Sequence, residues 1–330
     1  MKKKLFACLL SAAMVLSLAA CGGTTETETT DTEGSDSEGQ TYTIGVIQQM
    51  QHEALDAATQ GFQDAVAELF GDQASVEVQN ASGEAANCST IVGSFVSSGV
   101  DLIMANGTTA LQSAAAATTT IPILGTSITE YGVALGIDGF TGTTGMNVSG
   151  TSDLAPLDQQ AAMLQEWFPD AKNVGLLYCS AEPNSLYQVE TVQGYLEEMG
   201  YTCTPYSFSD SNDLSAVATN ACAQSDVLYI PTDNTAATNA ELIGNIAQSS
   251  ATPIIAGEEG ICSGCGVATL TISYYDIGYA TGEMAYEILV NGADPAEMEI
   301  EYAPQFTKKY NPDMCDALGL TAPEGYEAIG

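Results

Sequence analysis

Arginine is absent from this 330-residue chain, and its only lysines, six of them, face 42 acidic residues, for a formal net charge of -36 at pH 7. Three of the lysines, Lys2, Lys3 and Lys4, stand at the extreme N-terminus, so only Lys172, Lys308 and Lys309 serve the remainder. A surface of that sign repels nucleic acid and anionic lipid, which excludes phosphate-bearing polymers as partners. Phosphates and dicarboxylates are normally gripped by Arg forks or Lys, so a neutral ligand or one carrying an ammonium group suits the chain far better. Histidine occurs once, as His52, and tryptophan once, as Trp167. One His supplies neither a catalytic triad nor a zinc tetrad, and Cys262-Ser-Gly-Cys265 is a lone CxxC. Neither catalysis nor a metal or other cofactor is therefore expected.

The apolar run Leu5 to Leu18 is too short to span a membrane and follows the three lysines, which is the pattern of a secretory signal. It closes on Leu18-Ala19-Ala20-Cys21-Gly22, which resembles the lipobox of bacterial lipoproteins, where the cysteine is lipidated and becomes the first residue. Residues 1–20 read as a signal peptide and Cys21 as the lipidation site. The rest of residues 21–41 is Thr, Glu, Asp, Ser and Gly with almost nothing apolar. Such a stretch cannot bury enough surface to fold and reads as a tether. Setting aside Cys8 and Cys21 leaves Cys88, Cys179, Cys203, Cys222, Cys262, Cys265 and Cys315, an odd number, so at least one thiol stays unpaired. For Cys262 and Cys265 both a local disulfide and a pair of reduced core thiols remain open.

The remaining chain repeats itself. Asp226-Val-Leu-Tyr-Ile-Pro-Thr-Asp-Asn-Thr-Ala236 echoes Asp101-Leu-Ile-Met-Ala-Asn-Gly-Thr-Thr-Ala110. Each copy is an acidic residue, a short continuous apolar run that reads as a buried parallel strand, then small polar residues leading into a helix. Each is preceded by a similar strand, Tyr42 to Ile47 and Asn173 to Tyr178, and followed by another, Ile121 to Ser127 and Thr252 to Glu259. The chain is therefore expected to form two α/β domains of like design, enclosing a ligand between the carboxyl ends of their strands. The Gly- and Thr-rich stretch Gly139 to Gly150 is expected to be the first crossing between them. The expected lobes are 42–150 with about 274–300, and 151–273 with about 301–330.

Ile44-Gly-Val-Ile-Gln48, His52 with Leu55-Asp56, Asn80-Ala81, Asn147 to Gly150, Leu177 to Ser185, Pro231 to Asn234 and Ile272 to Gly278 together resemble ABC-transporter substrate-binding lipoproteins of the tryptophan/tyrosine type. The resemblance implies a periplasmic-binding-protein type I fold, two Rossmann-like doubly wound domains joined by three crossings. It implies hinge closure on a small ligand, an aromatic amino acid in the members whose ligand is known. It further implies an ABC permease with its cytosolic ATPase as partner, and a monomer anchored outside the cytoplasm. The chain departs from the family at Glu53, at Thr108-Thr109 and at Glu130-Tyr131. A sugar or nucleoside binder of the same fold is the alternative, because hydroxyls, amides and Tyr suit neutral polyols as well.

A zwitterion enclosed between lobes needs acceptors for its ammonium and donors for its carboxylate. Asp233 and Glu258 are expected to face the ammonium group, with Asn234 beside Asp233 as a further contact. Thr108, Thr109, Asn184 and Ser185, with the N–H groups at their helix starts, are expected to hold the carboxylate. Gln49, Thr129 and Tyr131 are expected to line the side-chain pocket. A hydroxyl or amide just after a strand serves equally as a helix N-cap, which is the bland alternative at each of these positions.

Overall fold

The computed structural model describes residues 41–330, so the signal, Cys21 and the tether lie outside the described residues. The first lobe is built in strict alternation: β1 (Tyr42–Gln48), α1 (Glu53–Phe70), β2 (Ala74–Asn80), α2 (Ala85–Ser98), β3 (Leu102–Asn106), α3 (Thr108–Ala117), β4 (Ile123–Ile128), α4 (Tyr131–Leu135) and β5 (Val148–Ser152). The second repeats the plan: α5 (Leu157–Trp167), β6 (Asn173–Cys179), α6 (Pro183–Glu198), β7 (Thr202–Phe208), α7 (Ser211–Gln224), β8 (Val227–Ile230), α8 (Asn234–Thr238), α9 (Ala240–Ser250), β9 (Ile254–Ala256), α10 (Glu259–Gly264) and β10 (Ala268–Thr271). The chain then returns as α11 (Tyr274–Leu289) and β11 (Glu301–Tyr302) to the first lobe and ends with β12 (Thr307–Tyr310), α12 (Pro312–Leu318) and β13 (Glu327–Ala328) on the second.

The sheets run β2-β1-β3-β4-β5-β11 and β7-β6-β8-β9-β10-β12-β13. The first five strands of each lobe thus follow the same order, and all but the β10–β12 pairing are parallel. Parallel strands covered by helices on both faces read as unbroken apolar runs. Accordingly β3 and β8 are buried along their whole length, whereas the edge strands β2 and β7 show exposed positions. Apolar clusters flank each sheet, with Ile44, Val46, Phe62 and Met104 on one face of the first and Ile47, Phe95, Ile103 and Leu111 on the other.

The echoed aspartates have a common physical role. Asp101 donates its N–H to the Thr43 carbonyl and accepts the Thr43 N–H at 2.7 Å, which fixes the start of β1 against β3. Asp226 does the same for β6 and β8, donating to the Asn173 carbonyl and accepting the N–H groups of Lys172 and Asn173, each at 2.8 Å.

The stretch expected as the first crossing turns back into its own lobe. Val148 to Ser152 is a fully buried strand, and the chain passes over only at residues 153–156. Its small residues satisfy packing: Gly150 sits at φ +140, and a Cβ there would meet the Gly125 backbone and the Tyr131 hydroxyl. Residues 272–273 and 303–306 make the other two passages. The first sheet therefore ends at Ser152 and again at Tyr302, two residues past the boundaries read from the sequence.

Candidate functional site

In a sheet ordered 2-1-3-4-5, loops diverge after the first and third strands and leave a crevice at their carboxyl ends. Here those ends are Gln48–Gln49 and Asn106–Thr109 in one lobe, and Cys179–Asn184 and Thr232–Asn234 in the other. The two crevices face each other and the lobes touch across them. His52 Nε2 lies 3.1 Å from Asn234 Oδ1, and the Thr238 hydroxyl donates to Met50 Sδ at 3.1 Å. α4 also packs against α6, and α1 against α10. Burial lowers the pKa of His52, against the opposing influence of Asn234, Glu182 and Asp56, so its ring is held neutral.

On the second-lobe wall Asn184, Ser185, Asp233 and Asn234 come together around Glu182 and Thr232. Glu182 accepts from the backbone N–H and side chains of Asn234 and Thr235, at 2.7 to 3.0 Å. Asn184 donates to the Thr232 carbonyl, and the Ser185 hydroxyl lies 3.5 Å from the same oxygen. Asp233 is buried and caps α8, accepting from Ala236 N at 2.8 Å and from Cys179 N at 2.6 Å. Burial first, and the nearby Glu182 charge second, raise its pKa. Removing the carboxyl by Asp233→Ala strands two buried N–H groups, each costing about 1–3 kcal/mol. Denaturant unfolding is expected to show a loss of roughly 2–4 kcal/mol, and a loss well under 1 kcal/mol would contradict the cap.

On the facing wall Gln49 is buried and its Oε1 accepts the Thr109 N–H at 2.8 Å, so the start of α3 is already capped from within the lobe. Thr108 is buried at the first position of α3, and Thr109 is half-buried. Tyr131 is turned into the lobe: its ring lies in the apolar cluster with Phe140 and its hydroxyl donates to the Thr151 carbonyl. Thr129 lies under the first passage, its carbonyl accepting from the Ser152 hydroxyl. Glu258 stands apart from the Asp233 group. It caps α10 through the N–H groups of Gly260 and Ile261, burial pushes its pKa up to about 7, and it borders a groove of about 300 Å³ shared with Glu53, Tyr274 and Lys309. The cysteines expected as a disulfide or as reduced core thiols, Cys262 and Cys265, are unpaired and buried.

Three residues not singled out from the sequence belong to this cleft. Ser127 has φ +55, uncommon for a side-chain-bearing residue, at a register break between β4 and β5. Asp153 follows β5 directly and its Oδ2 accepts the Tyr274 hydroxyl at 3.0 Å. Six buried side-chain polar atoms lack a hydrogen-bond partner among the described residues, and four are Asn106 Oδ1, Ser127 Oγ, Asp153 Oδ1 and Asn184 Oδ1, at or just past strand ends at the cleft. Buried polar atoms are nearly always satisfied, so each of these exceptions calls for a partner that the described residues do not supply. The signals were adjacent: Asp153 follows Asn147 to Ser152, and Tyr274 lies inside Ile272 to Gly278.

The sequence family described as ABC transporter substrate binding protein matches residues 43–328. This chain belongs to that family. A tyrosine-binding protein of Clostridioides difficile (strain R20291) is 32% identical to this binding protein over 280 residues, 84% of this chain and 81% of that one. The structure of an ABC domain in complex with L-Trp from Streptococcus pneumoniae is 30% identical with a TM-score of 0.83, covering 88% of this chain and 100% of that one. The ligand-free, open structure of a substrate-binding protein with adhesive properties from Clostridium difficile is 33% identical over 87% of this chain and 99% of that one, with a TM-score of 0.68. The fold is that of type I periplasmic binding proteins. In the binding protein described here the two walls of the cleft touch through the His52–Asn234 and Thr238–Met50 contacts.

Proposed function

We propose that the binding protein captures an aromatic amino acid outside the cytoplasm by closure of its two lobes and delivers it to an ABC permease driven by a cytosolic ATPase. In this reading Cys21 carries the lipid that holds the protein at the membrane, it works as a monomer, and it does no chemistry on its ligand. The observation that carries the proposal is a cleft whose two walls touch, with four buried polar atoms near the carboxyl ends of its strands left without partners among the described residues. Lobe closure of this kind pays for itself only when a ligand bridges both walls and shifts the open-closed equilibrium. The L-Trp bound in the pneumococcal structure and the name of the tyrosine-binding relative support the ligand class. Within the cleft we assign the ligand carboxylate to the buried Thr108 at the start of α3, since the Asn184 amide and the Ser185 hydroxyl already face the Thr232 carbonyl.

Thermal-shift measurement against the twenty amino acids, common sugars and nucleosides tests this. A ligand at about 100 times its dissociation constant adds about 2.7 kcal/mol to stability. The expected result is a shift with Trp, Tyr or Phe and none with sugars or nucleosides. A shift confined to a sugar or nucleoside would overturn the ligand class and leave the transport role.

A further inference from the structure

We infer that the carboxylate of Asp153, where the chain first passes between the lobes, receives the ligand's ammonium group; this rests on the amino-acid reading above. Asp153 is 5% exposed. One of its oxygens is engaged by the Tyr274 hydroxyl, and the other, Oδ1, has no hydrogen-bond donor. The Thr129 hydroxyl lies close enough to favour the ionised carboxyl without supplying that missing bond.

The other buried cleft carboxylates are already served. Asp233 holds the N–H groups of Cys179 and Ala236, Glu258 those of Gly260 and Ile261, and Glu182 takes donors from Asn234 and Thr235 on both oxygens. Asp153 alone among them presents an oxygen to which nothing donates. A buried carboxylate without a counter-charge is strongly disfavoured, and no lysine among the described residues pairs with Asp153. There is no arginine. Lys308 pairs with Glu166, Lys309 pairs with Glu259, and Lys172 is exposed at the start of β6. A ligand ammonium would bring to Asp153 both the charge and the N–H donors it lacks.

The position also ties ligand charge to the hinge. Asp153 lies in the first passage between lobes, and its partner Tyr274 opens the helix that follows the second. The Thr232 side chain, at the end of β8 in the second lobe, lies beside the same Tyr274 hydroxyl. An ammonium on Asp153 Oδ1 therefore completes a chain of polar contacts from the first lobe through two passages to the second.

Titration calorimetry on the purified protein tests the assignment with paired probes, each amino acid against its deamino analogue: L-tryptophan with 3-indolepropionate, L-tyrosine with 3-(4-hydroxyphenyl)propionate, and L-leucine with 4-methylpentanoate. The wild-type protein is expected to prefer the amino acid by about 30-fold or more. Asp153→Asn keeps the size of the side chain and an acceptor for Tyr274, and is expected to shrink that preference to about 3-fold or less. A folded Asp153→Asn protein that keeps the full preference overturns the inference while leaving the aromatic reading intact. So does wild-type protein that binds an analogue as tightly as its amino acid, a comparison that needs no variant. Collapse of the preference for leucine, with no binding of aromatic amino acids, upholds the ammonium site and overturns the aromatic reading. Binding of no amino acid at all overturns both.

Discussion

Without ligand, the binding protein is expected to become more stable as the pH falls from about 7 toward 5, the reverse of the usual behaviour of a protein rich in carboxylates. Burial raises the pKa of Asp153 to about 6 and that of Glu258 to about 7, and burial with the neighbouring Glu182 charge raises Asp233. In the unfolded chain such groups titrate near pH 4. Between about pH 4 and pH 7 the folded protein therefore binds more protons than the unfolded one. Stability then falls as the pH rises through that window, because ∂ΔG/∂pH follows the protons bound by the unfolded state minus those bound by the native state. A tenfold change in proton affinity is worth about 1.4 kcal/mol, so Asp153 and Glu258 together account for several kcal/mol. His52 works against them, since its lowered pKa removes stability as the pH drops below about 6.5, but it is one group against three. Melting temperature measured from pH 8 to pH 5 is expected to rise by roughly 5 to 15 °C. An amino acid ligand whose ammonium compensates a buried carboxylate is expected to flatten the rise. A melting temperature that is level or falls toward pH 5 would show that these carboxylates are not held in the environment described.

Substitution of Gly278 by Ala is expected to destabilise the fold by at least about 2 kcal/mol, although Ala is the better helix former by about 1 kcal/mol. α11 lies directly on α1, backbone against backbone. A Cβ on Gly278 would be driven into the Ala58 carbonyl, one on Gly61 into the Tyr275 carbonyl, and one on Gly282 into the Ala65 methyl. The atoms met at Gly278 and Gly61 are main chain and cannot rotate away. The only relief is to separate two helices that clamp the second passage to the first lobe, next to the small apolar cluster of Ala54, Ala58, Ile272, Tyr274, Ile277 and Ala303. Gly194 on α6 provides the control, because a Cβ there meets nothing within 4 Å. Gly194→Ala is expected to raise stability by roughly 0.5 to 1 kcal/mol. The expected melting temperatures move in opposite directions, down roughly 4 to 8 °C for Gly278→Ala and up by roughly 1 to 4 °C for Gly194→Ala. Equal tolerance of both substitutions would contradict the close helix contact.

Much of the architecture is legible without coordinates because its causes are local. Asp101 and Asp226 announce equivalent strands, since each stands one residue before a continuous apolar run and closes the same pair of hydrogen bonds to the strand alongside. Asp233 and Glu258 stand immediately before helices, and both are found capping them. The stretch Gly139 to Gly150 misled for a physical reason. Small residues mark a linker when they are solvated and a tight fit when they are buried, and composition alone does not separate the two. β12 likewise gives little local sign of itself, because a short half-buried strand carrying Lys308 and Lys309 is held by pairing antiparallel to β10 and parallel to β13.

Ligand chemistry divides along the same line. The sequence by itself determined the sign of the problem: with no arginine and three lysines past the signal, the chain could meet an anion only with dipoles and hydroxyls, and it favoured a ligand bearing positive charge. It also determined the family and the paired α/β plan. Which carboxylate is left without a partner was decided only by the tertiary structure. Asp233, Glu258 and Asp153 are alike as letters, each an acid after a short apolar or small-residue strand. Whether backbone N–H groups reach both oxygens depends on how the next helix begins and on what the crossings bring alongside. Glu258 is satisfied by the first turn of its own helix and Asp233 by its helix together with the Cys179 N–H at the end of β6, while Asp153, on a passage with no helix starting at its side chain, accepts a hydrogen bond from the Tyr274 hydroxyl on one oxygen and none on the other.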